Sequence, residues 1–148
     1  MNKVNKKSKE KNSYFNLNVL SLGEVGITVK TDSKLTKNGL KKTHYKTIAS
    51  LTKKHRDNAY QQASIAKAEA GITQPFKEAV IHIKSYWCGV RMDYDGLACA
   101  LAPAIDGMVD AGIIEDDNPS IVKAYLMQYE KVETRKEVRV DVTIEGVQ

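Results

Sequence analysis

The spacing of apolar side chains changes several times along the chain, and each change marks an element. Residues 13–22 carry Tyr14, Phe15, Leu17, Val19, Leu20 and Leu22 in close succession, as a strand does, and Val25–Val29 is a second short strand placed to pair with it. From Thr43 to Ala70 the step lengthens to three and four: Ile48, Leu51, His55, Ala59, Ala63 and Ala66 share one helical face. Gly71 stands where a helix C-cap belongs, and Pro75 lies just beyond. Phe76–Trp87 returns to alternation, with Ile81 and Ile83 on one side and Val80, His82 and Lys84 on the other. Leu97, Leu101, Ile105 and Met108 then form a second helical stripe that Gly112 ends, with a kink or a restart expected at Pro103. After a turn at Asn118-Pro119 come strands at Ile121–Val132 and Lys136–Glu145, the latter alternating Val138, Val140, Val142 and Ile144 with polar residues. The order β(β)αβαββ predicts an α/β (α+β) fold, a small mixed sheet with two main helices.

Length allows one domain and no second: 148 residues support a single core. Residues 1–12, with five lysines and two apolar side chains, read as a basic disordered arm before a domain over 13–148. No apolar run approaches the roughly 20 residues of a membrane span, and no signal-like stretch follows the basic start. Two cysteines, Cys88 and Cys99, lack metal-binding spacing, and free thiols imply a reducing cytoplasm.

Charge divides the chain more sharply than its net +5 conveys. Residues 1–56 hold 14 Lys or Arg against 3 Asp or Glu, a net +11, and residues 57–148 hold 9 against 15, a net −6. Basic surface attracts a phosphate backbone. Lys34, Lys37, Lys41, Lys42, Lys46, Lys53, Lys54, Arg56 and Arg91 are the candidate contacts to such a backbone, the first four in what reads as a mobile basic loop over 30–42. No base-reading motif accompanies them, so recognition would rest on backbone and shape.

The acidic half carries the candidate chemistry. Asp93 and Asp95 are two apart at the start of the second helical stripe, and Asp116 and Asp117 follow the turn at its end. Gathered carboxylates repel one another unless protons or cations neutralise them, and oxygen ligands suit Mg²⁺. Asp95, Ala102 and Asp106 share a helix face, but Asp106 lies about 16 Å along the axis from Asp95. The better partners of Asp93 and Asp95 are therefore Asp116 and Asp117, which an adjacent strand would return to the same end. The histidines, His44, His55 and His82, are scattered and form no nucleophilic grouping with a Ser or Cys.

The run DYDGLACALAPAIDGMVDAGIIEDDNPSIV resembles the signature of RusA-type Holliday-junction resolvases, including prophage relatives. Asp93 and Asp95 match that family's paired acids, Asp106 its mid-helix acid, and Asp116 and Asp117 its closing acidic pair. The similarity covers about residues 76–145. Gly96 stands where the family has Asn, and the family's helix Lys falls on Ala102 or Cys99. The resemblance implies a bacterial or prophage-encoded homodimeric endonuclease that resolves four-way DNA junctions by paired nicks. It would use Mg²⁺, with Mn²⁺ as a substitute. Asp93, Asp95 and Asp117 would be catalytic, and Asp116 would join them around the metal. The alternative within the same fold is a junction-binding relative that has lost cleavage.

Overall fold

The computed structural model describes residues 20–148, so the basic arm and the first part of the 13–22 strand lie outside the described residues. Four strands, β1 (Ser21–Val29), β2 (Ala79–Trp87), β3 (Val122–Lys131) and β4 (Arg139–Val147), form one mixed sheet in the order β1-β4-β2-β3. β4 runs antiparallel to both neighbours, and β2 and β3 are parallel. Parallel neighbours need a long crossover. Helix α3 (Tyr94–Asp110) supplies it, and the 25-residue α2 (Tyr45–Glu69) packs beside it.

Register explains the core. Val25, Ile27 and Val29 of β1 lie opposite Ile144, Val142 and Val140 of β4, and Ile81 and Ile83 of β2 continue the same rows. All eight are buried, together with Leu97, Leu101, Ile105 and Met108 of α3 and Ala59 and Ala63 of α2. Burying a side chain of this size contributes about 1.5–3 kcal/mol, so these rows hold the helices to one face of the sheet. The other face carries His82, Lys84, Asp141 and Thr143 in adjacent register and stays partly exposed. Ion pairs Lys84–Glu130 at 2.8 Å and His82–Glu145 at 2.9 Å cross it.

Two expectations are corrected. Within the described residues, no hairpin separates the first two strand segments: β1 passes through Gly23, at φ +122°, as a register irregularity and continues. The basic segment over 30–42 is folded. Asp32 accepts a hydrogen bond from the Lys34 amide at 2.9 Å and starts a 3₁₀ turn at Ser33–Leu35, and Thr36 caps α1 (Lys37–Lys42) through the Gly39 amide. Leu35, 2% exposed, anchors the turn in the interior. Helix α3 continues through the buried Pro103 without a restart, the missing N–H forfeiting one bond. The strand bounds also tighten. Phe76 makes a separate bridge to Ile114, and residues 135–137 form a 3₁₀ turn ahead of β4.

Candidate acidic and nucleic-acid site

The two ends of α3 hold the two acidic pairs, and their surroundings differ. At the N-terminus Asp93 is the cap: its Oδ1 accepts the Gly96 amide at 2.7 Å, which leaves Oδ2 free of that bond. Asp95, in the first turn, is exposed. Both carboxylates sit where the helix dipole favours negative charge. A side chain at Gly96 would crowd this arrangement, since a Cβ there would stand 2.8 Å from Asp93 Oδ1.

Aromatic and basic groups gather around the same end. The Arg91 guanidinium lies 5.4 Å from the ring centroids of both Trp87 and Tyr129, and Tyr94 meets Tyr129 edge-on at 5.2 Å. The Tyr129 hydroxyl is buried without a hydrogen-bond partner among the described residues. Burial raises its pKa above the ordinary phenol range; Tyr94 and Asp93 add to the rise and Arg91 opposes it. The folded basic segment reaches this end too: a Cβ on Gly96 would touch the Thr36 methyl at 3.6 Å. Exposed Lys34, Lys37, Lys41 and Lys42 are therefore carried on turns packed against the N-terminal end of α3. Lys46 and Lys54 lie exposed on α2.

Other expected DNA contacts are already engaged. Arg56 holds Asp110 through two hydrogen bonds, at 2.5 and 2.8 Å, and so ties α2 to α3. This pair raises the Arg56 pKa and holds Asp110 below the usual carboxylate range. Lys53 pairs with Asp57 one turn on.

The charges of Asp116 and Asp117 act on Asp106, in the C-terminal half of α3. The Asp106 carboxyl is raised by burial; nearby Arg56 opposes the rise, and Asp117, Asp110 and Asp116 add to it. Tyr125 is raised by burial and then by Asp117 and Asp106. Asp116 is occupied locally: Oδ1 accepts the Asp117 amide and Oδ2 the Asn118 side chain, both at 2.8 Å, and the Asn118 bond leads in lowering its pKa. Asn118 Oδ1 in turn accepts Ser120 N and Oγ, so the acidic pair shapes the turn into β3.

Asp93, Asp95 and Asp117 thus do not gather around one point. A straight helix separates Asp95 from Asp106, the neighbour of Asp117, by about 16 Å. Among the described residues no three His, Cys, Asp or Glu side chains come together as metal ligands. Asp106, too far along the helix from Asp95, instead feels the charge of Asp117. The sequence signal is Gly112, at φ +75°, which ends α3 and turns the chain into the buried Ile113 and Ile114 that meet Phe76.

No protein-family model matches the chain, and no curated protein does. The resemblance over Asp93–Val122 therefore rests on its own residues. A two-carboxylate donor set still fits Mg²⁺, which commonly keeps several waters and takes one or two protein carboxylates plus substrate phosphate. Asp93 and Asp95 are the two carboxylates at the N-terminal end of α3. No helix among the described residues is long and apolar enough to cross a membrane.

Proposed function

We propose that this protein is a Mg²⁺-dependent endonuclease acting on branched DNA in the manner of RusA-type resolvases. The observation that carries the reading is the packing of the lysine-bearing 30–42 segment against the end of α3 that presents Asp93 and Asp95. Acids that must approach a polyanion need compensating cations, and this fold supplies them at the same end.

Asp93, through the oxygen not engaged by Gly96, and Asp95 would hold the ion. When bound, it would activate water and stabilise charge on the scissile phosphate and the departing oxygen. Lys34, Lys37, Lys41 and Lys42 bind the flanking phosphates and set the strand's position without reading sequence. Arg91, one residue from Met92 and two from Asp93, is the cation placed to stabilise developing charge at the cut. A dimer suits the reading, because a four-way junction has two-fold symmetry and takes two symmetric cuts.

A specific observation favours a second reading, a junction-binding protein that does not cleave. Asp117 sits with Asp106 and Asp116 is bonded into its own turn, so only two of the four expected ligands remain at the α3 N-terminus.

Nicking of a labelled four-way junction, in Mg²⁺ and in EDTA, separates the two. Cleavage in Mg²⁺ alone, abolished in Asp95→Asn with junction affinity kept or raised, supports the nuclease. Tight junction binding with no nicking by the wild type supports the second reading. Unchanged nicking by Asp95→Asn removes Asp95 from the site.

A further inference from the structure

Beside the Asp93 end of α3 a cleft of about 210 Å³ opens between the ends of β2 and β4 and the segment after β1. Its most buried polar group is Ser85, 7% exposed, whose hydroxyl has no hydrogen-bond partner among the described residues. Trp87, Met92 and Val140 supply apolar lining, and the exposed Lys30 and Arg135 stand at the rim. Neither rim cation has an ion-pair partner among the described residues, and no Asp or Glu lines the cleft. Arg139 and Tyr86, packed at 3.9 Å, project from the opposite, open face of the sheet, where Arg139 also pairs with Asp141.

We propose that this cleft holds one unpaired nucleotide of a branched DNA, its base against Trp87 with an edge on the Ser85 hydroxyl, and its phosphate at Lys30 and Arg135. Each feature asks for a part of that ligand. An aromatic plane takes a flat base of any sequence. The Ser85 hydroxyl, with no protein partner among the described residues, can donate to or accept from a polar base edge. Unpaired cations at an acid-free rim attract phosphate. The volume is below the roughly 300 Å³ at which drug-sized pockets begin, which suits one ring system and not a duplex. Met92 lines the cleft and Asp93 follows it, so a captured nucleotide sets the neighbouring phosphodiester next to the carboxylate pair. The inference rests on the branched-DNA reading but does not require cleavage.

Trp87 is the only tryptophan in the chain and reports on its own pocket. The full-length protein, in EDTA, is titrated with a fluorescein-labelled four-way junction while anisotropy follows binding and tryptophan emission follows the cleft. The expected result is quenching of Trp87 with the same midpoint as anisotropy. A junction with abasic residues at the branch point should bind about tenfold more weakly, the loss expected for one stacked base, and leave Trp87 emission unchanged. Thymidine monophosphate should quench at high concentration, and inorganic phosphate should not. Ser85→Ala, which removes only the unpartnered hydroxyl, should weaken junction binding about fivefold. Ser85→Val, which fills the floor, should abolish quenching with circular dichroism unchanged.

Equal affinity and a silent Trp87 on intact and abasic junctions overturn the nucleotide cleft and leave junction binding standing. Quenching by phosphate equal to that by the nucleotide also overturns it. Quenching by thymidine monophosphate without junction binding supports the cleft and overturns the branched-DNA reading instead.

Discussion

Single residues around α3 decide between catalysis and mere binding. The RusA-like signature has a helix lysine where this chain has Ala102, exposed two turns beyond Asp95. Lys84 and Arg91 are the nearby basic residues in sequence, and the fold separates them. Lys84 lies on the open sheet face, paired with Glu130, away from α3. Arg91 lies at the Asp93 end, against Trp87 and Tyr129. Arg91→Ala should therefore lower single-turnover nicking by about 10²-fold, the scale of one lost charge-stabilising group, and Lys84→Ala should leave it unchanged. Ala102→Lys should raise the rate only where Arg91 is absent; a large gain in the wild type would show that Arg91 does not fill the role. Asp106 gives a prediction of stability. Its folded-state pKa is raised, so its favourable contribution is complete below the unfolded value of about 3.9 and is lost as pH rises through the folded value. Asp106→Asn should then stabilise the protein at pH 7 by a fraction of a kcal/mol, with the gain gone below about pH 4. Thermal melts at the two pH values test this, and an equal gain at both would assign it to something other than the carboxyl.

Elements were legible wherever packing follows sequence period. The stripe Leu97, Leu101, Ile105 and Met108 gave α3, and the alternation Val140, Val142, Ile144 gave β4, because one face of each is buried against the same core. Gly71 and Gly112 both adopt positive φ, +69° and +75°, just after the C-caps Ala70 and Ala111, where the left-handed residue that closes a helix belongs. The basic segment was misread because its lysine content masked two capping residues, Asp32 and Thr36, and one anchor, Leu35. The acidic ends of α3 were legible as residues but not as a grouping: which carboxylate meets which depends on where the chain after Gly112 lies, and local pattern does not carry that. The contact between α2 and α3 was likewise hidden in a single small residue. A Cβ on Gly107 would fall 2.3 Å from the Arg56 carbonyl oxygen and 2.9 Å from Ala59 Cβ. Backbone cannot yield as a side-chain tip does, so Gly107→Ala should cost about 1–3 kcal/mol despite alanine's better helix propensity. Urea unfolding measures it, and an unchanged midpoint would mean the helices separate freely at this crossing.

At the scale of the whole molecule, charge asymmetry becomes spatial only in part. Arg56 and Lys53, counted among the basic residues, are neutralised by Asp110 and Asp57, so the usable positive surface is smaller than the +11 of the first 56 residues implies. What remains among the described residues is the cluster of exposed lysines on the 30–42 segment and the start of α2, next to the α3 N-terminus. Each lysine that neutralises one phosphate releases counterions, and the logarithm of affinity falls with the logarithm of salt at about 0.9 per contact on duplex arms. Replacing Lys37, Lys41 and Lys42 together by Ala should thus lower the magnitude of that slope by up to about 2.7 if all three meet phosphate. The loss of affinity should be similar for junctions of different sequence, because phosphate contacts carry no base information. Lys53→Ala, whose ammonium faces Asp57, should change the slope little. Anisotropy titrations from about 50 to 200 mM salt, a range that spans large affinity changes for such contacts, compare the three proteins. An unaltered slope in the triple variant would place the DNA elsewhere and separate the lysine segment from the carboxylates it packs against.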